Sequence, residues 1–319
     1  MLIAKWANDN REYVIRDSHI EEYPLFVVYN EEHFNSHLLP KNDISYRYEP
    51  NRTVSGALLS DLIEQLVQEI KSCKKKFTHF KMIQDKDFNH RKAAGLIVLK
   101  FKNYPFIVKL FIETPESFVN PWCKGILPIW FFYMGGCGNR HMTGLTRIKN
   151  LECIRNRLKE DPQWSDLIDT PRKWFWTPKK QDWVMLTGYN IGGKKEISTR
   201  IPGIYAIVAD RIIATEDGTN FDNDRKKVAL DLCNHLNMFI DPHLDNFFLE
   251  EGTGKMVIID TEHFPTLVGL KEKVSFTSYV DWYLGLSKKA LHDIYFRLKS
   301  ERQLAQLQQS ELSLFTVIK

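Results

Sequence analysis

Asp241-Pro-His-Leu-Asp-Asn246-Phe-Phe-Leu-Glu250-Glu-Gly-Thr-Gly-Lys255-Met-Val-Ile-Ile-Asp260-Thr-Glu262 is the stretch that decides how the rest of this chain is read. Asn246 follows Asp241 by five positions, and Asp260 closes the apolar strand Met-Val-Ile-Ile fourteen positions after Asn246. A hard cation such as Mg²⁺ prefers oxygen ligands, and it is usually held by one or two carboxylates together with substrate phosphates. A carboxylate and an amide carbonyl on adjacent loops supply such oxygens. Taken singly, Asp241 and Asn246 also suit a turn without any ligand, because Asp, Asn and His bend the backbone and Asp-Pro is itself a turn signal.

Upstream of Asp241, Val228, Leu232, Cys233, Leu236 and Phe239 recur at helical spacing, so a helix leads directly into the loop. Before it, the polar segment from Ala209 to Asp224 behaves as a connector after two expected strands, Trp183 to Thr187 and Gly203 to Val208. Further upstream, the β-favouring runs Ala94 to Lys102 and Phe106 to Ile112 flank the turn signal Asn103-Tyr104-Pro105, which predicts an antiparallel hairpin. Lys109 is embedded in the second run among bulky apolar neighbours, where a lysine needs a partner or a route to solvent.

Between hairpin and connector, Ile148, Leu151, Ile154 and Leu158 put one apolar face on a helix over Leu145 to Leu158. Trp164 to Trp176 reads as an irregular, aromatic-rich insertion. The loop Met134-Gly135-Gly136-Cys137-Gly138-Asn139-Arg140-His141 has the backbone freedom to cradle an anion or simply to turn tightly between a strand and a helix. It lacks the Gly-Lys-Ser/Thr ending of a P-loop. The first fifty residues have no clear period, and Leu59, Leu62, Ile63, Leu66, Val67 and Ile70 then mark an amphipathic helix. The cations after it, Lys71 and Lys74-Lys75-Lys76, suit a solvated helix C-terminus.

Composition sets wider bounds. A chain of 319 residues with 43% hydrophobic and 13% aromatic residues can bury a sizeable core in two lobes. The net charge of +4 is weak and predicts no nucleic-acid partner. The five cysteines, Cys73, Cys123, Cys137, Cys153 and Cys233, have no metal-ligand spacing and read as free thiols in a reducing compartment. The N-terminus lacks a signal-peptide core, and the apolar run from Gly125 to Gly138 is too short to span a bilayer and is broken by Pro128. A cytoplasmic protein is expected, with secretion as an effector without a cleavable signal left open.

In order and spacing, Lys109, Asp241, Asn246 and Asp260 resemble the protein-kinase-like superfamily, over roughly residues 90 to 265. The resemblance implies an α+β, bilobal kinase-like fold, with an antiparallel-sheet N-lobe and a small, mainly helical C-lobe. It divides the chain into an N-terminal extension (1–80), an N-lobe with an insertion around 113–180 (81–210) and a C-lobe (211–319). It further implies that Lys109 contacts nucleotide phosphates and that Asn246 and Asp260 bind Mg²⁺. Asp241 then orients or deprotonates an acceptor hydroxyl, and the backbone of Ala209 and Asp210 meets adenine at the hinge. A helix carboxylate should pair with Lys109; Glu113, Glu116 and Glu152 are candidates, and Glu152 is preferred because it lies in an expected helix.

Departures refine the expectation. Phe239-Ile240 stands where protein kinases have His-Arg. Asp-x-His-x-x-Asn is similar to the loop of phosphatidylinositol kinases, and Asp-Thr-Glu is closer to aminoglycoside and choline kinases. No Ala-Pro-Glu follows, no GxGxxG precedes Lys109, and the tail after Glu262, with a helix expected around Tyr279 to Leu298, is short. The resemblance therefore implies an Mg²⁺- and ATP-dependent phosphotransferase acting on a hydroxyl-bearing acceptor, with a small molecule or lipid favoured over a protein. The alternatives are a non-catalytic pseudokinase binding module and a nucleotidyl transferase on the same fold.

Overall fold

The computed structural model describes residues 3–6, 35–86, 88–115, 143–189, 196–215, 223–236, 238, 240–261, 278, 280, 281 and 284. The glycine-rich loop at 134–141, Glu116, Cys123, Cys137, Glu262 and most of the helix expected at Tyr279 to Leu298 lie outside the described residues.

The architecture is mixed α and β, with strands gathered into separate sheets and few helices, compatible with α+β. The strands are β1 (Ile3–Trp6), β2 (Asp43–Ser45), β3 (Thr53–Ser55), β4 (Phe80–Gln84), β5 (Phe88–Asn89), β6 (Ala94–Phe101) and β7 (Phe106–Ile112). They continue as β8 (Ile168–Asp169), β9 (Lys173–Trp176), β10 (Trp183–Tyr189), β11 (Glu196–Pro202), β12 (Ile204–Asp210), β13 (Phe247–Leu249) and β14 (Met256–Ile258). Among the described residues the α-helices with defined bounds are α1 (Gly56–Lys71), α2 (Thr143–Lys159), α3 (Pro162–Leu167) and α4 (Asn223–Leu236).

The principal sheet runs β4-β6-β7-β12-β9, with β5 on β6, and its described pairings are all antiparallel. Side chains alternate across a strand, so the two faces differ. Ile97, Leu99 and Phe101 of β6, Phe106, Val108 and Leu110 of β7, and Ile204, Ala206 and Val208 of β12 form one apolar face. It is covered by Leu59, Ile63, Leu66, Val67 and Ile70 of α1. The opposite face carries the odd-numbered residues of β7, β12 and β9: Lys109 sits opposite Ile207, which sits opposite Phe175, and Ala209 sits opposite Lys173. Tyr205 stacks there on Phe111 at 4.6 Å and on Phe175 at 5.6 Å between ring centroids. A second core gathers the C-terminal half of α2 (Ile154, Leu158), α4 (Ala229, Leu232, Cys233, Leu236) and the β13–β14 hairpin (Phe247, Met256, Ile258). Helix α2 gives its C-terminal half to this core, while Arg147 and Asn150 nearer its N-terminus reach Asp260 and Thr261.

The expected hairpin forms with its turn at 102–105, and the helices expected around α1, α2 and α4 are present. Trp164 to Trp176 is not irregular. Asp161 caps α3 by accepting from the Gln163 amide at 3.1 Å, and Lys-Trp-Phe-Trp becomes the edge strand β9. The Pro171 break hides that strand in the sequence, whereas its alternate residues pack on opposite sheet faces. Gly56 has a steric cause: a Cβ there would lie 1.8 Å from the Pro40 carbonyl oxygen.

Lys74, from the cationic run after α1, pairs with the buried Glu69 carboxylate at 3.1 Å; Lys75 and Lys76 are exposed. Cys73, Cys153 and Cys233 are free thiols. No helix among the described residues is long and apolar enough to cross a membrane.

One polar knot ties the two cores together. The Glu250 carboxylate, with no solvent exposure, accepts from Arg47 Nε at 2.7 Å, Tyr48 Oη at 2.7 Å and Thr253 Oγ1 at 2.8 Å, while Arg47 Nη2 reaches Asp169 at 2.6 Å. Burial opposes ionisation of Glu250, but the Arg47 and Tyr48 hydrogen bonds win and hold its pKa below the ordinary value. Removing one member of a buried ion pair strands the other. Glu250→Gln is accordingly expected to cost about 3 kcal/mol of stability in urea unfolding.

Candidate functional site

The site lies where the second face of the principal sheet meets α2 and the end of the β13–β14 hairpin. Lys109 leaves β7 on that face because its neighbours Val108 and Leu110 are claimed by the α1 core. The β13–β14 register pairs Phe247 with Ile258, and the Ile259 amide donates to the Asn246 carbonyl at 2.9 Å. This brings Asp260 up beside Asn246. Lys109 Nζ then meets Asp260 Oδ2 at 3.0 Å, across 151 positions of sequence.

The second oxygen of Asp260 is taken from α2: Arg147 Nε donates to Oδ1 at 2.8 Å. Burial pushes the Asp260 carboxyl up, but the fields of Arg147, Lys109 and Lys173 outweigh it and hold the pKa well below the usual carboxylate range. Lys109 and Asp260 are each about one-fifth exposed, at 22% and 23%, whereas the Arg147 side chain is only 7% exposed. The open side of the cluster is therefore the Lys109–Asp260 edge.

Behind it sits Lys173 of β9, buried on the same sheet face. Its Nζ donates to Thr261 Oγ1 at 3.0 Å, and that hydroxyl donates to the Arg147 carbonyl at 2.5 Å. Asn150 Nδ2 completes the clamp by donating to the Thr261 carbonyl at 2.9 Å. The residue after Asp260 is thus fixed from both α2 and β9. Burial pushes the Lys173 ammonium pKa down to about 7, against the pull of Asp260.

Asp241 begins a tight loop. Its Oδ1 accepts from the His243 amide at 3.0 Å, an Asx-turn contact. Asn246 Nδ2 donates to the Asp241 carbonyl at 3.2 Å, which fixes the orientation of the side-chain amide, and among the described residues nothing donates to its side-chain oxygen Oδ1. Cys233 Sγ of α4 anchors the loop by donating to the Ile240 carbonyl at 3.4 Å.

Two expectations fall differently. Glu152 faces His37 Nε2 at 3.3 Å, and the carboxylate that meets Lys109 is Asp260. At 3.6 residues per turn, Arg147, Asn150 and Ile154 share the inward side of α2, while position 152 is rotated away from it. Ala209 is paired on both sides, with Ile107 and Lys173. The Asp210 amide donates to the Arg172 carbonyl at 3.1 Å, and its buried carboxylate is gripped by Arg172 Nε at 2.9 Å and Nη2 at 2.8 Å. Beyond them the amides of Arg211, Ile213 and Thr215 have acceptors, in Pro105, Tyr48 and Leu249. The intervening Ile212 and Ala214 amides have none among the described residues.

Arg147, Lys173, Thr261 and Asn150 were not singled out by sequence. Arg147 precedes Asn150 by three residues and the apolar Leu151 by four, and Lys173 heads the aromatic run Trp174-Phe175-Trp176 and shares a face with Phe175, a signal readable only once β9 is recognised as a strand.

No family model matches the chain, and no curated protein or solved structure matches it significantly.

Proposed function

We propose that this chain is an atypical, compact phosphotransferase of the protein-kinase-like kind, using ATP with Mg²⁺ and acting on a hydroxyl-bearing acceptor. The observation that carries the reading is the meeting of Lys109 with Asp260. A lysine on the middle strand of the β4-β6-β7-β12-β9 sheet pairs with the carboxylate that follows a loop asparagine and a short hairpin. Protein kinases hold nucleotide phosphates with a lysine on their third strand and bind metal through an aspartate and a loop asparagine. The presence of a sheet core and a second helix-and-hairpin core, linked by the segment after β12, supports a bilobal organisation.

In this reading Lys109 grips the phosphates and Asp241 orients the acceptor hydroxyl. Ile212 offers the backbone donor for an adenine edge that Ala209 and Asp210, already paired, do not. The Asn246 oxygen and the Asp260 carboxylate are the hard donors that suit Mg²⁺. Magnesium, when bound, neutralises charge on the nucleotide phosphates. Arg147 fixes one Asp260 oxygen, and the Lys109 contact on the other would pass to the phosphates when a nucleotide binds. The Asp-x-His-x-x-Asn loop and the Asp-Thr-Glu motif, similar to those of phosphatidylinositol, aminoglycoside and choline kinases, favour a small-molecule or lipid acceptor over a protein.

A pseudokinase is the second reading, favoured by one observation: both Asp260 oxygens already accept from protein cations. Thermal shift and product analysis separate the possibilities. ATP with Mg²⁺ is expected to raise the melting temperature by several degrees, roughly as RT ln(1 + [L]/Kd) requires. With γ-labelled ATP the label should pass to an acceptor. Transfer from α-labelled nucleotide instead would assign nucleotidyl transfer, stabilisation without any transfer would assign the pseudokinase, and no stabilisation would remove the nucleotide reading.

A further inference from the structure

We infer that the combined field of Lys109, Arg147 and Lys173 holds the polyphosphate of a nucleotide even when no divalent ion is present, so that Mg²⁺ serves transfer rather than binding. The inference rests on the nucleotide reading above and concerns what supplies the positive charge at that site. Three cationic side chains from three elements, β7, α2 and β9, act on the one Asp260 carboxylate. At Lys173 the field of Asp260 is opposed by Lys109, Arg147 and also Arg155. Where a kinase-like helix is expected to bring a carboxylate to the strand lysine, α2 brings a guanidinium to the strand-end aspartate.

That substitution changes which ligand the site suits. A guanidinium does not lose its proton in a protein, so the Arg147 charge is permanent. It is nearly buried, and charges in a low-dielectric surrounding act more strongly than in water. In the free protein the cations on both Asp260 oxygens oppose a divalent ion there, so Mg²⁺ enters with the phosphates rather than ahead of them. Metal-free polyphosphate carries the larger negative charge and is attracted by the same field. The partly exposed Lys109–Asp260 edge gives it access, with Arg147 and Lys173 acting from behind.

Isothermal titration of the full chain at pH 6.5 tests the inference, with ATP in excess EDTA, ATP in Mg²⁺, and tripolyphosphate in EDTA. ATP is expected to bind in EDTA within about threefold of its Mg²⁺ affinity, and tripolyphosphate to compete with it. Lys173→Met, which touches no ligand, should weaken the EDTA binding about tenfold and the Mg²⁺ binding less, and Lys173→Gln should reproduce the loss. Binding of ATP only with Mg²⁺ would overturn the inference and leave the nucleotide reading standing. Equal metal-free affinity in wild type and Lys173→Met would also overturn it, because the cluster would not be the cause. Failure of ATP and tripolyphosphate to bind under any condition would remove both readings together.

Discussion

Asp260→Asn is expected to lower the folding free energy by about 3 kcal/mol and to abolish any phosphotransfer, although asparagine has nearly the same shape. The loss comes from charge. In the wild type one carboxylate serves Lys109 at 3.0 Å and Arg147 at 2.8 Å and lies in the field of Lys173. The amide leaves Lys109 and Arg147 facing one another without a counter-charge across a mostly buried site. The effect must depend on pH with a definite sign. The Asp260 pKa is depressed in the folded chain, so its stabilisation is present above the ordinary carboxylate value of about 4 and is lost as pH falls toward the depressed folded value. Urea unfolding at pH 7 and pH 3 checks this: the gap between wild type and variant should be large at the first and reduced at the second. Adding Lys109→Met to Asp260→Asn should recover part of the loss, because it removes one of the stranded charges. Additive losses in that double-mutant cycle would show that Lys109 and Asp260 are not coupled.

How far this site could be read beforehand follows from which interactions have a sequence period. The strand pair around Lys109 and the helix α2 are legible because alternation and the i, i+3, i+4 spacing record burial on one face. The loop Asp241 to Asn246 is legible because its side chains bend their own backbone, and the structure contains those local contacts. The partner of Lys109 is different. Glu152 satisfies the local requirement of lying in a helix, but the rotation of α2 is set by Leu151, Ile154 and Leu158, and these turn Arg147 inward. Pairings such as Arg147 with Asp260 and Arg47 with Glu250 join residues 113 and 203 positions apart, and no spacing rule reports them. Lys173 was hidden for another reason. Pro171 and the crowd of tryptophans mask a four-residue edge strand whose existence depends on β12 being there to pair with.

Lys173→Met is expected to stabilise the protein, by on the order of 2–4 kcal/mol at pH 6, although it removes a hydrogen bond to Thr261. Burial holds the Lys173 pKa near 7 in the folded chain, against about 10.4 for a free lysine. Below pH 7 folding must bury a charged ammonium. Between pH 7 and about 10 the folded chain has released that proton while the unfolded chain keeps it, so the unfolded state binds more protons and wild-type stability rises with pH. Methionine has no such penalty, so its advantage should be greatest at or below pH 7 and shrink toward pH 10. The lost hydrogen bond weighs about 1 kcal/mol in the other direction, less than the desolvation it accompanies. Chemical denaturation at pH 6, 8 and 10 reads the whole pattern, and a variant less stable than wild type at pH 6 would show that Lys173 is held by partners strong enough to offset its burial. A stabilised variant whose metal-free nucleotide binding is weakened would mean that the lysine is kept at this position at the expense of the fold, as expected for a charge whose purpose is the site rather than the core.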